Sequence, residues 1–206
     1  MTAPPTALAL DGSGVDGSVY TDVVDLARRS PGWLDSLVTA WSAYGLALFA
    51  VLMAVAWWRA RARGPRAAVP ALAAPLIVVL AFAADDLVKA VVREDRPCRT
   101  LHTVALEACP APGDWSFPSN HAALAAAAAV AVWCVSRRLG LLAAVAALAM
   151  AASRVWVGVH YPHDVAAGLA VGALSASALA VPVRRFSGAV ARRLAATPLR
   201  PLLTSA

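Results

Sequence analysis

Three short stretches of this chain concentrate the residue types that can move protons or attack an electrophile. The first, residues 85–97, carries Lys89, the only lysine of the chain, followed by Arg93 and Arg96. On a helix these cations, at i, i+4 and i+7, share one face, and Pro97 ends the helix or opens a turn after it. The second, residues 116–121, reads S-F-P-S-N-H. Pro118 and Ser119 are helix-start signals, and the free backbone N–H groups of Asn120 and His121 then form a helix N-terminus that favours an anion. The third, residues 153–164, reads S-R-V-W-V-G-V-H-Y-P-H-D. With a helix starting near Pro162, Asp164 can accept a hydrogen bond from His160 and fix the tautomer whose other nitrogen is free to attack.

Together these residues suit phosphoryl transfer. Cations stabilise the equatorial oxygens, one histidine attacks, and the other, His121, protonates the leaving oxygen. No carboxylate cluster for magnesium is evident, so neither metal nor cofactor is expected. Each fragment alone has a plainer reading: a snorkelling cationic helix end for the first, an ordinary N-cap beside an interfacial histidine for the second. His163 and His102 read as exposed polar residues at the membrane edge or as loose substrate contacts.

The elements that must carry these residues are apolar. The 206 residues are 60% hydrophobic and 15% charged, with a mean hydropathy of +0.66, which is the composition of a membrane protein. Stretches without acid or base near 38–58, 67–84, 122–136, 139–152 (with its continuation to 159) and 165–183 each approach the ~20 residues that cross the hydrocarbon. The expected fold is all-α: a polytopic transmembrane bundle of about five spans plus an N-terminal interfacial helix. Its third span is short and mostly alanine, and must lean on its neighbours. Residues 1–36 read as a disordered start (1–18) followed by a surface helix, residues 37–183 as the transmembrane phosphatase domain, and residues 184–206 as a basic cytoplasmic tail. No basic region, apolar core and cleavage site opens the chain, so no signal peptide is expected.

The net charge of +6 is an orientation signal and not a nucleic-acid signal. Eleven arginines follow the first, third and fifth stretches, and no acidic residue accompanies them. The positive-inside rule then puts the C-terminus in the cytoplasm and the N-terminus outside, as an odd number of spans requires. All three chemical segments fall on the outer face of a cell membrane. Cys98 and Cys109 share the loop on that side, where a disulfide can persist, the alternative being two free thiols. Cys134 reads as a small buried apolar residue.

These segments resemble the three signature motifs of the type 2 phosphatidic acid phosphatase family, K-x6-R-P, P-S-G-H and S-R-x5-H-x3-D. Lys89, Arg96 and Pro97 match the first, Pro118, Ser119 and His121 the second, and Ser153, Arg154, His160 and Asp164 the third. Asn120 stands where the family has glycine, as in members resembling bacterial undecaprenyl pyrophosphate phosphatases. The resemblance implies that Lys89, Arg96, Ser119, Asn120 and Arg154 bind phosphate, that His121 is the general acid, His160 the nucleophile and Asp164 its partner. It also implies a metal-independent reaction and a helical bundle, often of six spans. The implied partners are a lipid phosphate substrate and membrane lipids. The leading expectation is hydrolysis of a polyprenyl pyrophosphate; phosphatidylglycerophosphate or phosphatidate is the alternative substrate, and a non-catalytic lipid transporter or assembly partner the alternative class.

Overall fold

The computed structural model describes residues 9–204; the disorder expected for residues 1–8 lies outside the described residues. The chain forms α1 (Ser13–Arg29), α2 (Gly32–Tyr44), α3 (Leu46–Arg61), α4 (Pro65–Val92), the one-turn α5 (Pro97–Thr100), α6 (Asn120–Val135), α7 (Arg137–Trp156) and α8 (Pro162–Ala195). No strand is present among the described residues. Helices α4, α7 and α8 are each long and apolar enough to cross a membrane, and α2 and α3, bent by 54° at Gly45, make a fourth span if they count as one.

The expected third span is α6, which differs from the rest. Its 16 residues reach only about 24 Å, less than the ~30 Å of hydrocarbon. It lies against α4, α7 and α8, and Ala122, Ala123, Ala125–Ala129 and Ala131 are all buried. Small side chains let the neighbouring backbones approach, which is how helices associate where lipid removes the hydrophobic drive between them. The partner surface on α8 is Gly168 and Gly172, one turn apart. A Cβ on Gly172 would collide with the Ala123 carbonyl, and one on Gly168 would stand 3.1 Å from Ala122 Cβ. This contact fixes the start of α6 against the start of α8.

At both ends the described residues pack against the bundle. Helix α1 begins at Ser13, inside the stretch expected to be disordered. It is not a free amphipathic helix, because Tyr20, Val24 and Ala27 are buried, clustering with Ala122, Ala151, Val155, Tyr161 and Val165 of the bundle. Tyr20 Oη donates to Gly158 O at 2.9 Å. At the other end α8 continues past residue 184 to Ala195. Leu203 is buried with Ala68, Val69 and Ala191, and Trp57 Nε1 donates to Leu202 O at 3.0 Å. Cys98 and Cys109 form a disulfide, and Cys134 is free.

Gly172→Ala should lower the thermal midpoint of the detergent-solubilised protein, since overpacking costs about 1–3 kcal/mol. Gly14→Ala is the control, because a Cβ there meets nothing within 4 Å. Equal midpoints for the two variants would rule out the tight α6–α8 contact as a source of stability.

Candidate active site

The residues singled out in the sequence converge at one end of the bundle. His160 sits in the turn between α7 and α8 and is 2% exposed. Its Nε2 lies 3.1 Å from Arg96 Nη1 and its Nδ1 3.3 Å from Asp164 Oδ2. A guanidinium can only donate and an ionised carboxylate can only accept, so the pair of contacts assigns the proton to Nδ1 and the lone pair to Nε2. Burial, then the positive charges of Arg96 and Arg154, push the His160 pKa down to about 3 against the pull of Asp164. The ring is neutral at physiological pH.

Asp164 is held by its position in α8. As the third residue of the helix it reaches back to the N-cap, and Oδ2 accepts from Tyr161 N at 2.7 Å, half of a capping box. Ser116 Oγ donates to the same oxygen. The Asp164 carbonyl accepts from Ser119 N at 3.0 Å, which joins the starts of α6 and α8. Ser119 is the N-cap residue of α6, but its hydroxyl makes no cap bond. That hydroxyl, Asn120 Oδ1 and Arg154 Nε are buried without hydrogen-bond partners. Buried polar atoms are nearly always paired, so each of these three is open to a further polar contact.

Lys89 and Arg96 do not share a helix face. Helix α4 ends at Val92, where Arg93 turns left-handed with φ 51° and points out, its Nε capping Ala90 O at 2.9 Å. Lys89, on the last turn, donates to Trp115 O at 2.8 Å. Arg96 is extended and bonds Asp114 O and Val159 O, each at 2.9 Å, and Asp114 Oδ1 at 2.8 Å. Burial raises the Asp114 carboxyl, but the hydrogen bond and charge of Arg96 outweigh it and hold it below its ordinary range. Arg154, on the last turn of α7, pairs with Glu107 Oε2 at 3.0 Å and also bonds Ser42 Oγ of α2. His121 follows Asn120 in the first turn of α6. A cavity of 310 Å³ lined by Lys89, Arg93, Asp114 and Asn120 opens beside this cluster.

Asp114, Glu107 and Ser42 were not anticipated as members of this site. Nothing near Ser42 or Glu107 in sequence marks them; only packing brings them to Arg154. A further cluster of titratable groups lies beside Asp164. Side-chain atoms of Glu94, His163 and Asp164 lie within 4.8 Å of one another, from segments some seventy positions apart. His163 is 19% exposed and bonded on both ring nitrogens, so it is neither a free surface residue nor a loose one.

The family model of the PAP2 superfamily matches residues 70–186, which hold every one of these motif residues. The chain belongs to this superfamily. Bacitracin transport permease protein BcrC of Bacillus licheniformis is 46% identical over 63 residues, 31% of each chain. Decaprenylphosphoryl-5-phosphoribose phosphatase of Mycobacterium tuberculosis is 42% identical over 95 residues, 46% of this chain and 50% of the relative. The chain thus spans between 31% and 50% of the length of these two curated relatives. Undecaprenyl-diphosphatase BcrC of Bacillus subtilis is 29% identical over 140 residues, 67% of this chain and 69% of the relative. Among solved structures, Aquifex aeolicus LpxE matches with a TM-score of 0.60 at 19% identity, over 85% of this chain and 99% of that one. A PAP2 type phosphatidylglycerolphosphate phosphatase from Bacillus subtilis matches at 0.51 and 21%, over 84% and 87%. At those identities the likeness is one of fold, and the fold is that of a multi-pass PAP2 membrane protein.

The neutral His160 gives a pH signature. Its folded pKa lies below the unfolded value, so between about pH 6.5 and pH 3 the unfolded chain binds the extra proton. Its contribution to stability is complete above that window and is lost as pH falls through it, with a slope of at most about 1.4 kcal/mol per pH unit. Denaturation midpoints measured across the window should therefore fall less steeply in His160→Gln, which cannot charge. Parallel curves would mean that His160 is not buried neutral.

Proposed function

We propose that this chain is a membrane lipid phosphatase that hydrolyses a polyprenyl pyrophosphate to the monophosphate on the extracytoplasmic face, through a phosphohistidine intermediate. The observation that carries the reading is the orientation of His160. Its protonated nitrogen is on Asp164 and its lone pair faces Arg96; Ser119, joined to Asp164 by a backbone hydrogen bond, carries a buried hydroxyl with no partner. A terminal phosphate bound by Lys89, Arg96, Arg154 and the α6 N-terminus draws the Arg96 guanidinium onto its oxygens and exposes Nε2. His160 Nε2 then bonds phosphorus as the bond to the bridging oxygen breaks, and His121 gives that oxygen its proton. Water, losing a proton to His121, hydrolyses the phosphohistidine and releases inorganic phosphate. The charge is handled by side chains and a helix N-terminus, so the reaction is metal-independent.

The names of the relatives support a polyprenyl substrate: one is an undecaprenyl-diphosphatase and another acts on decaprenylphosphoryl-5-phosphoribose. An apolar groove of 440 Å³ between α2 and α7, lined by Leu37, Trp41, Ala149, Ala152, Ser153 and Trp156, gives the tail a surface to lie on next to Arg154. The second reading is a phosphatidylglycerophosphate or phosphatidate phosphatase, the substrate of the second of the two solved structures being of that kind. The outward site follows from the arginine bias of a bundle with five crossings, the fifth being α6 with its short length taken up by its neighbours.

Purified protein assayed in EDTA for phosphate release from polyprenyl pyrophosphate, decaprenylphosphoryl-5-phosphoribose, phosphatidylglycerophosphate and phosphatidate should favour the first. His160→Ala should abolish turnover on all of them while vanadate binding persists. His121→Ala should cost roughly 10²–10⁴-fold, less with a nitrophenyl phosphate whose leaving group needs no proton. Near-normal turnover in His160→Ala, or turnover that requires added magnesium, would sink the mechanism.

Orientation has its own test, in a Cys134→Ser background. Ala111→Cys, on the exposed loop before α6, should react with an impermeant thiol reagent in intact cells, and Ala62→Cys, exposed after α3, should not. Reversed labelling would place the site in the cytoplasm.

A further inference from the structure

His163 has no part in the reaction set out above, yet it is among the most constrained side chains of the site. Its Nδ1 lies 2.7 Å from Asp16 Oδ1 and its Nε2 2.9 Å from Glu94 Oε1, while its backbone N–H donates to Asp16 Oδ2 at 2.7 Å. Three separate elements meet there: α1, the segment between α4 and α5, and the first turn of α8. The ring stacks on Tyr161 with centroids 5.3 Å apart, and Phe117 lies 5.9 Å away on a tilted plane. Leu10 pairs with the backbone on either side of Glu94, donating to Arg93 O and accepting from Asp95 N. Gly12 closes the cluster so tightly that a Cβ would collide with Glu94 Oε1 and stand 2.9 Å from His163 Cε1.

A neutral imidazole has one N–H, and a carboxylate offers only acceptors. Between two ionised carboxylates, both bonds are satisfied only by a ring protonated on both nitrogens. The remaining neighbour is Asp164, whose Oδ1 lies 3.5 Å from His163 Nε2. That oxygen is buried without a hydrogen-bond partner, whereas Oδ2 of the same carboxylate takes Tyr161 N, Ser116 Oγ and His160 Nδ1.

We propose that His163 is a positioning residue: its imidazolium, pinned between Asp16 and Glu94, faces Asp164 Oδ1 and keeps that carboxylate ionised with Oδ2 turned to His160. The role rests on the reading of His160 as nucleophile. The titratable groups facing the ring are Asp16 from α1, Glu94 from the α4–α5 segment and Asp164 from its own helix turn, with the Tyr161 ring stacked on it. Three acids this close cannot all remain ionised in a buried place without a cation among them. Burial already pushes the Glu94 carboxyl above its ordinary range. Remove the imidazolium charge and a proton settles on the cluster. An Asp164 that takes it no longer accepts from His160 in the same way, and the ring is free to adopt the other tautomer or to rotate.

The test reads His160 directly. Histidine-¹⁵N NMR of the full-length protein in detergent, treated with EDTA and at neutral pH, should give one doubly protonated ring, absent from His163→Gln. The His160 signals, identified by their loss in His160→Gln, should report the Nδ1–H tautomer in the wild type and a mixture in His163→Gln and Asp16→Asn. In turnover, His163→Gln should lower kcat by about 10²-fold, the scale expected for a misplaced reacting group, with KM little changed. The alkaline limb of the kcat–pH profile, set by loss of the imidazolium proton, should vanish, and His163→Arg should recover part of kcat. A neutral His163, an unchanged His160 tautomer in His163→Gln, or a kcat loss with the wild-type profile intact would overturn the proposal. So would a divalent metal found in stoichiometric amount on His163, Glu94 and Asp164. A wild type that releases no phosphate but shows the expected tautomers would instead overturn the reading of the enzyme and leave the positioning role standing.

Discussion

The structure is organised around one buried carboxylate. Asp164 is fully enclosed at the end of a bundle made of alanine, valine and leucine, where an uncompensated charge costs several kcal/mol. The segments that approach it lower that cost: an N–H from Tyr161, a hydroxyl from Ser116 and a ring N–H from His160 all reach its Oδ2. The tight α6–α8 crossing at Gly168 and Gly172 serves the backbone of the same residue, because the Ser119 N–H and the Asp164 carbonyl can bond only if the two helix starts nearly touch. Satisfying this charge assembles the second and third motifs into a single site.

The outer elements serve the same end. Ionisable groups at the ends of apolar helices would draw water if left open. Helix α1 covers the α7–α8 turn through Tyr20, whose ring lies 5.5 Å from that of Tyr161. The loop tied by the Cys98–Cys109 disulfide brings Glu107 onto Arg154, and Leu106 N bonds Val157 O at 3.0 Å. Tyr20 and Val24 of α1, with Leu101 of the loop, pack into one cluster with the bundle, so the order of these pieces comes from docking and not from local propensity alone.

This division explains what the sequence reveals. Lys89, Arg96, Ser119, Arg154, His160 and Asp164 stand in local patterns whose spacing has a chemical reason, and hydrogen bonds join Arg96 to His160, His160 to Asp164 and Asp164 to Ser119. The partners of those residues carry no such pattern. Asp16 lies in a Gly-, Ser- and Asp-rich stretch that reads as disorder, and Asp16 itself departs from helical geometry with φ −147°. Glu94 reads as one of several charges after a helix, and Ser42 as an ordinary polar residue in a span. Their place is decided by tertiary contacts at sequence separations of 65 to 147. Tertiary contacts also set the helix ends. Arg93 breaks the expected cationic face because the chain must turn there to bring Arg96 under His160, and α8 passes residue 184 because Leu203 and the α4 start give its basic end something to pack on.

The cations of the pocket are each occupied within the protein: Arg96 by Asp114, Arg154 by Glu107 and Ser42, Lys89 by backbone carbonyls. This follows from burying them, since a bare guanidinium or ammonium at 5% or 6% exposure would be too costly to keep. The partners differ in how firmly they hold. Asp114 is 53% exposed at the side chain and Glu107 23%, so water can take over either carboxylate when an anion enters. Asp164, at no exposure, has no such exit and stays on His160. On the proposed reading an entering phosphate would compete with carboxylates that have somewhere to go, while the group that orients the histidine is fixed. Exchange at the rim and constancy at the centre would let the buried cations stay paired in the fold and still take up the charge of a substrate.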